Sequence, residues 1–165
     1  MPGEPDFTAI ASALNAHGVE YFVVGMLAAV LQGVPAVTLD VDIMHRRTPD
    51  NVARLAAALR DLDARYRHDP RNLKPNESHL TTAGHQILET RHGDLDVLGS
   101  IAGGAEYDTL LGDTVLLDLE GMAVRVLGLS RLIAAKEAAG RPKDMAVLPL
   151  LRATLDEIRK RRGGA

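Results

Sequence analysis

Two carboxylates, Asp40 and Asp42, stand two residues apart in the stretch Val37-Thr38-Leu39-Asp40-Val41-Asp42-Ile43-Met44. Leu39, Val41 and Ile43 alternate with Thr38, Asp40 and Asp42, the period-two pattern of a strand with one apolar face. It predicts a strand over 37–44 with both carboxylates on the opposite face. Side chains so spaced lie ~6.5 Å apart and repel by roughly 2–3 kcal/mol at an effective dielectric of about 20. A cation between them relieves that repulsion. Hard divalent ions take oxygen ligands, and magnesium is typically held by one or two carboxylates together with the phosphates of a substrate. The competing explanation is a solvated outer face of an edge strand, so the surroundings of the pair must decide.

A third carboxylate occurs in Leu95-Asp96-Val97, an apolar-acid-apolar segment of the same style as Val41-Asp42-Ile43. If the two strands pair, Asp96 stands beside Asp42 and completes a three-carboxylate site, Asp40, Asp42 and Asp96, for one or two divalent cations. Asp94 has the parity to share that face, but its position beside Gly93 also suits it to a hairpin turn. Cations that could meet an anionic ligand cluster later, at Lys136, Arg141 and Lys143, with Asp144 as the partner that orients them. The alternative for these is a solvated helix face followed by a turn. Six histidines show neither an i, i+4 helical pair nor cysteine spacing, so surface or loop positions are expected for His45, His68, His79, His85 and His92 rather than metal ligation. His45 and Arg46 follow the acidic strand closely enough to touch a phosphate or an acceptor.

These groups must be positioned by elements the pattern also shows. Phe7, Ile10 and Leu14 mark a helix that ends near Gly18, and Tyr21 to Val24 reads as a buried strand. Gly25 follows it, and helical composition runs from Met26 to Gln32 until Gly33 and Pro35 break it. Thr48-Pro49 is an N-cap with proline at the first helical position, and Val52, Leu55, Leu59 and Leu62 supply the core stripe of a helix to about Ala64. Residues 67–78, turn-rich and polar, read as a loop. Gln86–Thr90 and Leu95–Leu98 form a hairpin by composition, and Thr114–Leu127 a second one turning at Glu120-Gly121. Ser130 is placed to cap a helix through Ala138, and Lys143 to Arg162 forms the last helix. The order predicts an α/β (α+β) domain: a mixed sheet flanked by helices, with a core over about 19–127 and a helical part over about 128–162.

The totals fit one domain of 165 residues with a sizeable core. Without cysteine, disulfides and thiolate metal sites are excluded and a reducing cytoplasm is the expected setting. The opening Met-Pro-Gly-Glu-Pro-Asp has no basic region followed by an apolar one, and no apolar run reaches membrane-spanning length, so neither a signal peptide nor a membrane association is expected. The net charge of -3 is unevenly distributed: residues 1–123 hold 9 basic against 18 acidic side chains, and residues 124–165 hold 10 against 4. An acidic centre beside a basic C-terminal quarter suits a metal site that also holds an anion.

A strand, a glycine, a helix, then Asp-x-Asp on the next strand and a lone Asp on a later one resembles the DNA polymerase beta-like nucleotidyltransferase superfamily over roughly residues 19–100. Gly25, Asp40, Asp42 and Asp96 carry the likeness, with Tyr21-Phe22-Val23-Val24-Gly25-Met26 where that superfamily has an apolar strand and a Gly-Gly or Gly-Ser pair. Leu132-Ile133-Ala134-Ala135-Lys136 and Arg141-Pro142-Lys143-Asp144, with Asp156 twelve residues on, look like the C-terminal signature of AbiEii-type abortive-infection toxins. The resemblance implies a nucleotidyltransferase-like mixed sheet and a Mg2+ (or Mn2+) dependent transfer of a nucleoside monophosphate from a nucleoside triphosphate to a hydroxyl. It implies that Asp40, Asp42 and Asp96 bind the metal, with Asp96 also orienting or deprotonating the acceptor. Gly25, Met26, Thr38, Lys136, Arg141, Lys143 and Asp144 would line the nucleotide. Gly25 admits the phosphates closely because it has no side chain and tolerates positive φ, and the following helix N-terminus adds partial positive charge. The acceptor would be an RNA end (tRNA among them), a small molecule such as an aminoglycoside or lincosamide, or a protein side chain, and a cognate antitoxin is a further implied partner. One departure stands out: Met26 occupies a position where the family commonly has a phosphate-contacting Ser.

Other chemistries lack their residues. Gly25 has no Gly-x-x-Gly in dinucleotide register, no Gly-Lys-Ser/Thr makes a P-loop, and no Gly-x-Ser-x-Gly elbow is present. The basic run Arg159–Arg162 could meet RNA phosphates, but 2 Phe and 3 Tyr offer few stacking platforms and a solvated helix end explains it. Two rivals to the enzyme remain: a nucleotide-binding but inactive partner protein, favoured by Met26, and a structural domain whose acidic strand faces solvent.

Overall fold

The structure, a computed structural model, describes residues 4–163. Met1, Pro2 and Gly3, where a leader sequence was sought, lie outside the described residues. Helix α1 (Phe7–Ala16) starts where Asp6 accepts a hydrogen bond from the Ala9 amide at 3.0 Å, and it buries Ile10, Ala11 and Leu14. Strand β1 (Tyr21–Val24) is buried along its whole length. Gly25 then turns the chain at φ +66° into α2 (Gly25–Leu31). After an irregular stretch come β2 (Asp42–His45) and α3 (Pro49–Asp61), which has Thr48 as its cap and the expected proline at its start.

Strand β3 (Arg65–Tyr66) and α4 (Glu77–Thr81) bracket the polar loop. The β4–β5 hairpin (His85–Thr90, Gly93–Leu98) and the β6–β7 hairpin (Thr114–Leu119, Met122–Leu127) are separated by a short α5 (Tyr107–Leu110). Helices α6 (Leu129–Ala139) and α7 (Pro142–Gly163) close the chain. No described helix is long and apolar enough to cross a membrane.

The seven strands of the described residues form one mixed sheet in the order β3-β4-β5-β2-β1-β7-β6. The central strands β5, β2, β1 and β7 are joined by a parallel β2–β5 pair, an antiparallel β1–β2 pair and a parallel β1–β7 pair. Parallel neighbours are buried strands, which is why Phe22, Val23, Ile43, Leu95, Val97 and Val126 have no exposed surface. Helix α3 is pinned by Asn51, which is itself buried. Its side chain accepts from the Glu20 amide at 2.7 Å and donates to the carbonyls of Glu20 and Arg46 at 3.0 and 2.7 Å. One amide thereby fixes the spacing between α3 and the β1 and β2 ends that border it.

Several sequence expectations give way here. The strand expected over 37–44 begins only at Asp42, while Val37 and Leu39 are 87% and 55% exposed. Alternation is a signal of a face, but a face needs a neighbour. Val24, the last residue of β1, pairs with Asp42, and Gly25 then leaves the sheet, so 37–40 have no strand beside them on that side. His45, expected near the surface, is 1% exposed and hydrogen-bonds the Leu80 carbonyl through Nε2 at 2.7 Å. Burial holds its pKa below the usual imidazole value. Asp94 is a strand residue paired with Glu89 rather than a turn residue. Gly128, not Ser130, precedes the first turn of α6, and the loop expected over 67–78 yields its end to α4.

Candidate active site

Two parallel strands bring two of the acidic residues together, and a third brings a glycine beside them. Asp42 opens β2 and lies in register with Asp96 of β5, so the two carboxyl groups leave adjacent parallel strands side by side. On the other flank, the antiparallel pairing of Val24 with Asp42 brings Gly25 to the same spot. A methyl group at Gly25 would lie 2.6 Å from Asp42 Oδ2, inside contact distance. The glycine therefore serves two ends at once: it supplies the left-handed turn and keeps the space above the carboxylate clear. Asp40 stands on the irregular approach, exposed, with its amide donating to Thr38 Oγ1 at 3.2 Å. It does not share a strand with Asp42, yet its charge reaches both of the other carboxyl groups.

The electrostatics of the pair follow from burial. Asp42 is pushed up to about 7, first by desolvation, then by the charges of Asp96 and Asp40 and the hydrogen bond it shares with Asp96; Lys136 pulls the other way. Asp96 is also raised by burial, against the opposing pull of Arg67. Two half-buried acids side by side, both pushed up by burial, make a site short of positive charge.

Positive charge arrives from two directions. Lys136, on α6, forms an ion pair with Asp144 at 3.2 Å, and Arg141 donates to the same carboxylate through Nε at 2.6 Å and through its guanidinium at 3.1 Å. Asp144 is fully buried, and it also accepts from the Arg141 amide, closing the first turn of α7 from its third position. The two cations hold its carboxyl down at about 2, the largest influence being the Arg141 side chain. The expected Lys136, Arg141 and Asp144 group therefore exists, with Lys136 close enough to act on Asp42. Lys143 is exposed and, among the described residues, forms no ion pair. Met26 is partly buried against the core, and Thr38 Oγ1 accepts from the Asp40 amide at 3.2 Å, which leaves its hydroxyl proton free to donate.

Sequence reasoning missed Arg67. It lies just past β3, where its backbone amide donates to Ile87 at 3.0 Å, and its side chain bonds Asp96 Oδ1 and the Leu88 carbonyl, both at 2.8 Å. A two-residue edge strand without apolar alternation gives no signal, and the residue fell instead in a polar, turn-rich run.

The donor set fits a hard divalent cation. It consists of carboxylate oxygens, kept clear by a glycine a side chain would foul. Among the described residues, no three acidic or histidine side chains converge into a ready-made cage. A pair of carboxylates completed by a ligand's phosphates is the arrangement magnesium commonly takes, and Asp42 with Asp96 supplies that pair.

No protein-family model matches the chain, and no curated protein matches it. Solved structures do. A Thermotoga maritima protein, TM1012, assigned to the nucleotidyltransferases, superposes with a TM-score of 0.57 at 20% identity, covering 92% of this chain and 91% of that one. The lincosamide antibiotic adenylyltransferase LnuA, determined with lincomycin bound, gives 0.62 at 12% identity over 90% and 95%. The antibiotic-resistance factor ANT(2'')-Ia gives 0.56 at 14% identity over 96% and 91%. Matching nearly end to end, these neighbours show that the chain has a nucleotidyltransferase-like fold: a seven-stranded mixed sheet flanked by helices.

Proposed function

We propose that this protein is a divalent-metal-dependent nucleotidyltransferase of the cytoplasm, moving a nucleoside monophosphate from a nucleoside triphosphate onto a hydroxyl and releasing pyrophosphate. The observation that carries the reading is the register of Asp42 with Asp96 on parallel strands, beside the left-handed turn at Gly25.

Asp42, Asp96 and Asp40 would hold Mg2+ or Mn2+, which when bound supplies charge neutralisation for the triphosphate and acidifies the attacking hydroxyl. The chain's own residues do the rest. Gly25 lets the backbone approach the phosphates, and Lys136, locked by Asp144, presents an ammonium towards them. Asp96, half-buried beside a partner acid, is the group able to orient the acceptor hydroxyl and take its proton. Arg141 holds Asp144 in place, and Lys143 is free to reach an anionic substrate from the start of α7.

A hydroxyl on a small molecule of the aminoglycoside or lincosamide kind is the acceptor favoured by the end-to-end likeness to LnuA and ANT(2'')-Ia. An RNA end, tRNA included, is the alternative that the AbiEii-like C-terminal residues support, and with it a cognate antitoxin partner. Met26 favours a second reading, a nucleotide-binding partner protein of weak or no activity, because it replaces a hydroxyl at the phosphates with a thioether.

Transfer of label from α-labelled ATP, GTP, CTP and UTP to an aminoglycoside and lincosamide panel and to total tRNA decides between these readings. Label on an acceptor that disappears in Asp42→Ala and Asp96→Ala supports the enzyme. Nucleotide binding without transfer to any acceptor supports the partner protein.

A further inference from the structure

We propose that the cavity at the β3–β4 edge of the sheet seats the acceptor, and that it takes a ring-bearing hydroxyl compound that is neutral or acidic rather than one carrying ammonium groups. The inference rests on the nucleotidyltransferase reading above and adds to it where the acceptor lies and which charge it carries. A polycationic aminoglycoside then comes last among the acceptors considered.

The sheet order fixes the position. Gly25 follows β1, and Lys136 acts on Asp42 from α6, so a triphosphate would lie on the β1 flank of the carboxylates. An acceptor must then meet Asp96 from the opposite flank, over β4 and β3. Ile87 of β4 stands in register with Asp96 and is 38% exposed, so the sheet face they share stays open beside the acid. Adjoining it, at Gln86, is a cavity of about 570 Å3, a size that holds small ligands. Arg67 joins the two. It lines the cavity, its amide donates to the Ile87 carbonyl at 3.0 Å, and its guanidinium bonds Asp96 Oδ1 at 2.8 Å. One arginine side chain therefore spans the way from cavity to acid.

The chemistry of the walls sets the class of ligand. The Tyr66 amide donates to the Leu73 carbonyl at 2.9 Å and closes the loop at its base, so the cavity is preformed. Tyr66 stands edge-on to the His79 ring, with centroids 5.3 Å apart, and donates its hydroxyl to Gln86. These rings and Leu73, 39% exposed, offer the apolar surface that a ring-bearing molecule covers. The polar groups left over are donors. His79 accepts from the Asn76 amide through Nδ1 at 3.0 Å, so its proton sits on Nε2, which has no partner among the described residues. Asp69, the one carboxylate among the described lining residues, accepts from the Arg71 amide at 2.9 Å and twice from its guanidinium at 3.1 Å. A ligand's carbonyl, hydroxyl or carboxylate oxygen is met there, whereas an ammonium group finds no unpaired acid.

The test follows the backbone amides of the full chain, labelled with heavy nitrogen, by nuclear magnetic resonance during titration with three probes that differ mainly in charge: phenyl β-glucoside, phenyl β-glucuronide and the amine-bearing phenyl β-glucosaminide. The first two are expected to shift the amides of Arg67, His68, Leu73, His79 and Gln86, and the third to bind roughly fivefold more weakly. Leu73→Glu, at an exposed position, is expected to reverse that order by placing a carboxylate on the wall. Leu73→Lys is expected to favour the glucuronide further, and serves if the first variant does not fold. Mg2+ with a non-hydrolysable nucleoside triphosphate is expected to shift a separate set about Gly25 and Asp42, and to do so with a probe already in place, as donor and acceptor must. Probe shifts elsewhere or absent, no dependence on probe charge, or competition with the triphosphate overturns the proposal and leaves the nucleotidyltransferase reading standing. Cavity shifts without any response to Mg2+ and triphosphate overturn that reading, and the acceptor role with it.

Discussion

Replacing Asp42 by Asn should stabilise the metal-free protein at slightly alkaline pH while abolishing its response to metal and nucleotide. The Asp42 carboxyl has an unfolded value near 3.8 and is raised in the fold to about 7, chiefly by burial and then by its acidic neighbours. Between those two values the unfolded chain has released a proton that the folded chain retains. Stability therefore falls as pH rises through that window, and the loss is complete above pH 7. A shift of that size has a ceiling on the order of 4 kcal/mol at ~1.4 kcal/mol per pH unit. Solvent access and the interaction with Asp96 reduce it to about 2 kcal/mol, or roughly 4–8 °C in melting temperature for a chain of this length. Asn keeps the shape and can donate to Asp96, so the gain reflects the missing charge. Thermal denaturation at pH 8 and pH 4.5 without divalent ions checks it: the variant should melt higher at pH 8 and level with the wild type at pH 4.5. With Mg2+ and a nucleoside triphosphate at about 100 times their dissociation constant, the wild type should gain about 2.7 kcal/mol and the variant nothing. A variant no more stable than the wild type at pH 8, or equally favoured at both pH values, would refute the reasoning.

Gly25→Ala places a methyl group 2.6 Å from Asp42 Oδ2, so the carboxylate must swing aside. The left-handed backbone adds about 1 kcal/mol of strain, seen as a fall of roughly 2–4 °C in melting temperature, with nucleotide binding by calorimetry lost almost entirely. Lys136→Met should weaken triphosphate binding about tenfold with little change in melting temperature, by loss of one charge-assisted contact. Asp144→Asn should lower both, because Lys136 and Arg141 lose their common anchor. In the Asp42→Asn background, stability should decline as pH falls below about 6.5, since unfolding lets His45 take up a proton that burial denies it in the fold. His45→Gln should flatten that decline in a pH series of melting curves.

Much of the site was legible because its parts are local patterns. Asp42 and Asp96 could be paired from sequence since each sits between apolar residues that must face the same core, and the register bears this out. Thr48-Pro49 and the Glu120-Gly121 turn were readable for the same reason: a cap and a hairpin turn are decided within a few residues. The Val37–Asp40 segment was misread because alternation says nothing about whether a neighbouring strand extends that far. His45 was misplaced because a polar side chain next to Ile43 and Met44 is buried only if a distant carbonyl, here that of Leu80, meets it. Arg67 was invisible for the same physical cause, since its contacts to Leu88, Asp94 and Asp96 join positions more than 20 residues away in the chain.

The central claim, that the carboxylates beside the Gly25 turn form a metal and triphosphate site, is tested most directly by calorimetric titration of each nucleoside triphosphate with Mg2+ into the wild type and into Asp40→Ala, Asp42→Ala. The account predicts binding by the wild type that requires Mg2+, and none by the double variant. Equal binding by both proteins, or binding indifferent to Mg2+, would contradict it.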